Sequence, residues 1–224
     1  MLDRSEFIAM VAPVIVKVRM DGGVLFPSVS LAQALLETGG EIPAWNNITG
    51  YKVGSGRRTP YWDGRSASAR TWEVYDGVRY DNVSAEWRAY DTIEDSLKDQ
   101  ALLFLNYSRY QGVMNAATPE AQAEALQQSG YATDPAYASK LKSIMRTGAY
   151  EKYDREAEEG MEALRELQMQ VEELRAMLQE TEPPEWAKPT IDKLMERQLI
   201  LDPKGDRSLF RALVVLDRAG VFGK

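Results

Sequence analysis

The sequence predicts an α+β fold, mostly helical with one small β-hairpin lobe. Apolar residues recur at helical spacing up to about residue 40 and again from about residue 92. Between them, from Asn46 to about Trp87, Gly, Ser, Thr, Arg and aromatic residues replace that pattern. Beyond Tyr153 the composition shifts once more, towards a charged helical linker and a small helical C-terminal unit.

The elements follow in order. Phe7, Ile8, Val11, Val14 and Ile15 place a helix over residues 1–20, and Asp21-Gly22-Gly23 turns the chain. Pro27-Ser28 opens a second helix through Leu31, Ala32, Leu35 and Leu36, which Gly39-Gly40 ends. Residues 69–80 alternate as a β-hairpin, with Asp76-Gly77 as its turn. Helices are expected again over 92–105, 118–128 and 134–147. Leu164, Leu167, Val171, Leu174 and Leu178 are then spaced 3, 4, 3 and 4 apart. This seam suits either a coiled coil between copies, over residues 157–178, or a helix laid on its own chain. Pro183-Pro184 ends it. Two short helices, around 186–197 and 209–219, flank a loop at Asp202-Pro203-Lys204-Gly205. The expected divisions are a domain over 1–153, a linker over 154–182 and a small unit over 183–224.

Composition excludes several chemistries. The 224 residues contain no His and no Cys. Zinc hydrolases draw on His or Cys ligands, and Ser-His-Asp or Cys-His hydrolases need the imidazole as base. Acid–base work therefore falls to Asp, Glu, Tyr or Lys, with no metal and no cofactor expected. A net charge of −7 argues against a nucleic-acid partner. No apolar run approaches the roughly 18 to 20 residues of a membrane span, so no membrane partner is expected. The first apolar stretch, Phe7 to Val16, is diluted by Asp3 and Glu6 and interrupted by Pro13, so it reads as a buried helix rather than a secretion signal.

One carboxylate stands out. Ser30, Gln33, Ala34 and Glu37 share the less apolar side of the second helix, and Glu37 arrives in its last turn. There the negative end of the helix dipole disfavours ionisation, and partial burial adds to the effect. Such a group suits a general acid, though on position alone the plainer reading is a solvated Glu.

Four ordered blocks sharpen this. Residues 27–40 read PSVSLAQALLETGG, residues 46–52 read NNITGYK, residues 90–99 read YDTIEDSLKD, and residues 130–141 read GYATDPAYASKL. Over about residues 5–150 this set resembles the glucosaminidase family, glycoside hydrolase family 73. The resemblance implies a bilobed, lysozyme-like fold and hydrolysis of the bond after N-acetylglucosamine in peptidoglycan glycan strands. It makes Glu37 the proton donor to the leaving glycosidic oxygen. Thr71-Trp72-Glu73 matches the family's hairpin carboxylate element, so Glu73 becomes the second carboxylate. Its role would be base for water or stabiliser of an oxocarbenium ion; the alternative is a cross-strand partner for Arg70 or Arg79. The substrate's own acetamido group could also take part.

Tyr131 is expected at the cleft with its hydroxyl near the reacting sugar, or else as a packed aromatic. Tyr137, in the same block, is taken as substrate-binding. Asn46 and Asn47 hold acetamido or hydroxyl groups, or cap a turn. Tyr90 and Asp99 contact substrate or buttress the cleft. Trp45, Trp62 and Trp72 stack on sugars or pack. Thr49 stands where the family usually has Phe, and Tyr51 replaces an aliphatic residue.

Trp186-Ala187-Lys188 to Ile191 and Arg211-Ala212-Leu213 to Arg218 weakly resemble one surface-layer-homology motif, with Leu213 in place of its Glu. This implies a secondary cell-wall polymer as partner, with copies assembling to grip it; the alternative is a small helical appendage. The layout leads to the expectation of a phage-type endolysin, made in the cytoplasm and acting at the bacterial cell wall after release. A muramidase or lytic transglycosylase on the same fold is the enzymatic alternative. A non-catalytic wall-binding or virion structural protein is the other.

Overall fold

The computed structural model describes residues 3–75, 78–178 and 182–223, with backbone only for the described residues within 69–84 and for 177–178. It forms two compact units, Met1–Met161 and Glu162–Lys224. The division falls inside the segment expected as a linker.

The first unit opens with α1, Arg4–Met20, started by a capping box in which Asp3 accepts from the Glu6 amide and Glu6 reaches back to Asp3. The apolar run anticipated from sequence is buried here: Phe7 and Val11 are fully enclosed, and Ile15 nearly so. Next comes α2, Pro27–Thr38. Its N-cap, Phe26, has no capping side chain, and two distant residues substitute for one. Gln122 accepts from the Phe26 amide at 2.7 Å, and Asp154 accepts from the Ser28 amide at 2.7 Å. Every residue from Pro27 to Leu35 is buried. Leu31, Ala34 and Leu35 join one apolar cluster with α1, while Val29 and Ala32 join another built on Phe104, Tyr110, Leu126 and Leu141. A helix buried on all sides along most of its length belongs in the centre of its domain, and α2 occupies that place. Leu31→Ala here would cost roughly 2–5 kcal/mol.

The hairpin is longer than the alternation in the sequence indicated. Strand β1, Ser66–Tyr75, pairs antiparallel with β2, Val78–Arg88, with an irregularity between Thr71 and Glu73. The expected turn residues, Asp76 and Gly77, lie outside the described residues. Residues 51–53 run beside the base of β2, where the Arg88 amide donates to the Tyr51 carbonyl and the Val53 amide to the Glu86 carbonyl, both at 3.0 Å. This ties the loop after α2 to the β lobe.

Helix α3, Ile93–Asn106, is capped by Thr92. A 3-10 turn over Ser108–Tyr110 and a single turn α4, Gln111–Met114, follow; periodicity cannot register segments this short. Then α5, Pro119–Gln128, is capped by Thr118, and α6, Tyr137–Gly148, begins later than expected. Asp134 accepts from the Ala136 amide at 2.8 Å in a turn around Pro135, and that turn delays the helix.

Helix α7, Glu151–Leu178, carries the boundary between the units. Its early part packs on its own chain: Ala157 is fully buried, and a Cβ on Gly160 would meet Met20 Cε at 2.7 Å. The stretch expected as a seam between copies, 157–178, thus opens with residues packed on their own chain. In the second unit α8, Lys188–Glu196, and α9, Arg207–Arg218, close on Ala187, Ile191, Phe210 and Val214. Lys193 pairs with Asp217 at 2.6 Å, while Trp186 of the surface-layer-like motif stays exposed. Among the described residues, no helix is long and apolar enough to cross a membrane.

Candidate active site

Glu37 sits one residue before the end of α2, which Gly39 terminates in the left-handed conformation. The buried body of the helix thus carries its carboxylate rigidly to the domain surface. Glu37 stays open to solvent on one side. Protein on the other sides displaces the water beyond it, and this desolvation raises its carboxyl from 4.5 to about 7. Two neighbours pull the other way: the Tyr137 hydroxyl donates to Oε1 at 3.1 Å, and the Lys52 ammonium favours the charged form. A carboxyl balanced near neutrality holds a proton and can release it.

Gly50 forms the adjoining wall. It has φ +65°, and a Cβ there would lie 2.9 Å from Glu37 Oε2 and 3.3 Å from Cδ. Both the backbone conformation and the close approach call for glycine.

Behind Glu37 lies a connected polar array. Tyr137, 3% exposed, accepts from Gln33 Nε2 at 2.7 Å. Gln33 Oε1 accepts from Gln100 Nε2 at 2.7 Å. Gln100 Nε2 also donates to the Tyr131 hydroxyl at 2.8 Å, and Tyr131 donates to the Thr49 carbonyl at 3.1 Å. Burial raises the phenol pKa of both tyrosines, and the charge of Glu37 raises it further. They act as fixed neutral hydroxyls. The Tyr131 ring also packs against Phe104, Tyr110 and Tyr137.

A second buried node stands beneath the β lobe. Asp99, fully enclosed, accepts from Thr59 at 2.7 Å, Arg88 at 2.7 Å and Tyr90 at 2.8 Å. The Arg88 guanidinium lies 4.0 Å from the Tyr51 ring and 4.1 Å from the Trp62 ring. Tyr51, which departs from the family's aliphatic residue, thus covers a buried cation. The other departure, Thr49, is buried and its hydroxyl meets Ser96 at 3.2 Å.

Among the expected site residues, Glu37, Tyr131 and Tyr137 come together. Asn46 and Asn47 stand beside them as supports for the loop. Asn46 has φ +55°, and its amide donates to the Tyr90 and Asp91 carbonyls. The Asn47 amide donates to the Tyr51 and Arg88 carbonyls, and its oxygen accepts from the Tyr51 amide. Tyr90 and Asp99 meet each other in the node around Arg88. Trp62 is enclosed and donates to the Arg65 carbonyl. Glu73 lies in β1 opposite Tyr80; its side chain, like that of Trp72, lies outside the described residues.

Sequence reasoning did not assign roles to Gln33, Gln100, Gly50, Lys52 or Arg88. For Gln33 a signal existed, since a polar residue one helical turn before Glu37 shares its face. For Gln100 and Arg88 no local pattern marks the contact.

Comparison with known proteins gives the family. The chain is 37% identical over 151 residues to the peptidoglycan hydrolase FlgJ of Pseudomonas aeruginosa, covering 63% of this chain and 36% of that protein. It is 35% identical over 139 residues to the exo-glucosaminidase LytG of Bacillus subtilis, covering 58% and 46%. The chain thus spans less than half the length of these relatives. Among solved structures, a peptidoglycan hydrolase mutant from Sphingomonas sp. A1 superposes with a TM-score of 0.57 at 31% identity, covering 67% of this chain and 97% of that one. The catalytic domain of the autolysin Auto from Listeria monocytogenes gives 0.54 at 28% identity, covering 67% and 86%. The model of the glucosaminidase family, described as mannosyl-glycoprotein endo-beta-N-acetylglucosaminidase, matches residues 14–149, and the chain belongs to that family.

Proposed function

We propose that this protein hydrolyses the glycan strand of bacterial peptidoglycan after N-acetylglucosamine, acting within the strand, with Glu37 as proton donor. The observation that carries this is a carboxyl at a rigid helix end, raised to about 7 by its surroundings, facing solvent on one side only. Glu37 protonates the glycosidic oxygen as the C–O bond breaks, and the sugar develops oxocarbenium character. Lys52 then favours the carboxylate that remains. Glu73 is the proposed second carboxylate, supported by its place in the Thr-Trp-Glu element of β1. Tyr137 acts on Glu37 as donor to Oε1, and Tyr131 is tied to it through Gln100 and Gln33. Asn46, Asn47, Tyr90 and Asp99 shape the cleft wall, a role supported by hydrogen bonds that engage their polar groups with the protein itself.

Digestion of purified peptidoglycan with the parent and with Glu37→Gln, followed by mass spectrometry of the products, tests this. The expected products are oligosaccharides of mixed length with reducing N-acetylglucosamine ends, absent with the variant. Reducing or anhydro-muramic ends would defeat the assigned cut. Release of terminal disaccharides only would replace endo by exo action. Undiminished digestion by Glu37→Gln removes Glu37 from the chemistry.

For the second unit we propose self-association through α7 from Leu164 onward. Leu164, Leu167 and Leu174 are 47%, 58% and 58% exposed at heptad spacing, an arrangement that a second copy would cover. Light scattering on the full chain should give more than one copy per particle. A clean monomer ends this proposal, and with it the idea that copies of the small unit assemble to grip wall polymer.

A further inference from the structure

The hydrogen-bond array behind Glu37 has a direction, and the direction follows from one backbone carbonyl. The Thr49 carbonyl can only accept, so the Tyr131 hydroxyl must donate its hydrogen there, at 3.1 Å. That leaves the Tyr131 oxygen as an acceptor, and Gln100 must present its amide NH2 to it, at 2.8 Å. The second hydrogen of the same NH2 reaches Gln33, 2.7 Å away, so Gln33 must turn its carbonyl oxygen towards Gln100. Its NH2 then points to Tyr137, at 2.7 Å. Tyr137, already accepting, has its one hydrogen free for Glu37 Oε1, at 3.1 Å.

The two amides and Tyr137 are enclosed. Gln33 is 1% exposed, Gln100 2% and Tyr137 3%, so water does not offer the amides an alternative orientation. An unpaired polar group at that depth is costly, which disfavours a flipped amide at either glutamine.

We infer that Gln33 and Gln100 are positioning residues that hold Tyr137 as a donor to Oε1 and thereby confine the transferable proton of Glu37 to Oε2. Oε2 is the other carboxyl oxygen, the one against which Gly50 packs so closely that a Cβ would stand 2.9 Å away. If the amides reversed, Tyr137 would accept instead. The proton could then settle on Oε1, aimed into the protein, where it serves no glycosidic oxygen.

The inference rests on Glu37 as the acid, and its test separates the two. Gln33→Met and Gln100→Met keep side-chain length and remove the amides. The ionisation of the Glu37 carboxyl, followed by carbon-13 NMR, and the pH dependence of kcat and KM on soluble glycan strands are compared with the parent. The groups facing this carboxyl are Tyr137 from α6, Tyr131 from the preceding loop and Lys52 from the loop after α2, and all three remain in both variants.

Without the directed donor, the carboxylate loses part of its stabilisation. The NMR midpoint of Glu37 should rise, the alkaline limb of kcat should move up with it, and kcat should fall about tenfold with KM unchanged within twofold. The Gln33→Met/Gln100→Met pair should lose no more than either single variant, because one chain is cut. An unmoved Glu37 midpoint with parental kcat in both folded variants overturns the inference while leaving Glu37 as the acid. So does a change confined to KM. If one variant does not fold, the other carries the same two readouts.

Discussion

A Cβ placed on Gly50 would stand 2.9 Å from Glu37 Oε2, nearer than real Cβ atoms approach anything. The NNITG segment and the end of α2 therefore fit together only through a residue without a side chain. Gly50→Ala should push the carboxyl off its position and also force alanine to φ +65°. The conformational cost is roughly 1–2 kcal/mol, and kcat should fall about ten- to a hundredfold. Kinetics on soluble glycan strands beside thermal melting check it; parental turnover would mean that the Glu37 position is not critical.

The raised carboxyl sets the pH range. As the proposed acid, Glu37 would work only while protonated, so kcat should decline above about pH 7, tenfold per unit at the limit. Stability moves in the same direction. A group bound more tightly to its proton in the fold than in the open chain favours folding below its unfolded value, 4.5, and loses that contribution as pH rises through about 7. Glu37→Gln removes the penalty of a partly desolvated charge. The variant should equal the parent at pH 4 and exceed it at pH 8 by roughly 1 kcal/mol, allowing for the solvent that reaches the side chain. That corresponds to about 2–4 °C in Tm by calorimetry. A variant less stable at pH 8 contradicts the assigned environment.

Tyr137 tempers the same group from the opposite side. Tyr137→Phe deletes the donor to Oε1, so the Glu37 midpoint and the alkaline limb should both shift upward. The change also strands Gln33 Nε2 in the interior, at about 1–3 kcal/mol. A pH profile paired with urea unfolding separates the two effects. A downward shift of the limb would show that Tyr137 does not donate to the carboxylate.

The pair of Arg88 and Asp99, 2.7 Å apart and enclosed, holds the base of the hairpin against α3. Removing one partner leaves the other charge buried and unmatched, so Asp99→Leu should destabilise by roughly 3–5 kcal/mol in chemical denaturation. Arg88→Met combined with Asp99→Leu should cost less than the two single changes added, because no lone charge remains. Additive losses would mean that the two side chains contribute independently.

By itself the sequence determined whatever depends on near neighbours along the chain. The helix starts at Thr92 and Thr118, the stop at Gly39, the paired strands around 69–80, and the delivery of Glu37 to a helix end are all local consequences of side-chain preference and 3.6- or 2-residue spacing. The ordered motifs then supplied the chemistry. Where several partners were equally open, only tertiary packing chose among them. Asn46 and Asn47 are polar residues in a loop, and nothing local says that backbone carbonyls 40 or more positions away would engage their amides. Asp99 could have faced a groove, but α3 aims it at Arg88. Gln33 meets Gln100 across 67 residues, and the direction of that contact depends on a carbonyl in a third segment. Hydrogen-bond donors have no preferred partner until the fold encloses them; then the cost of an unmet polar group selects one arrangement.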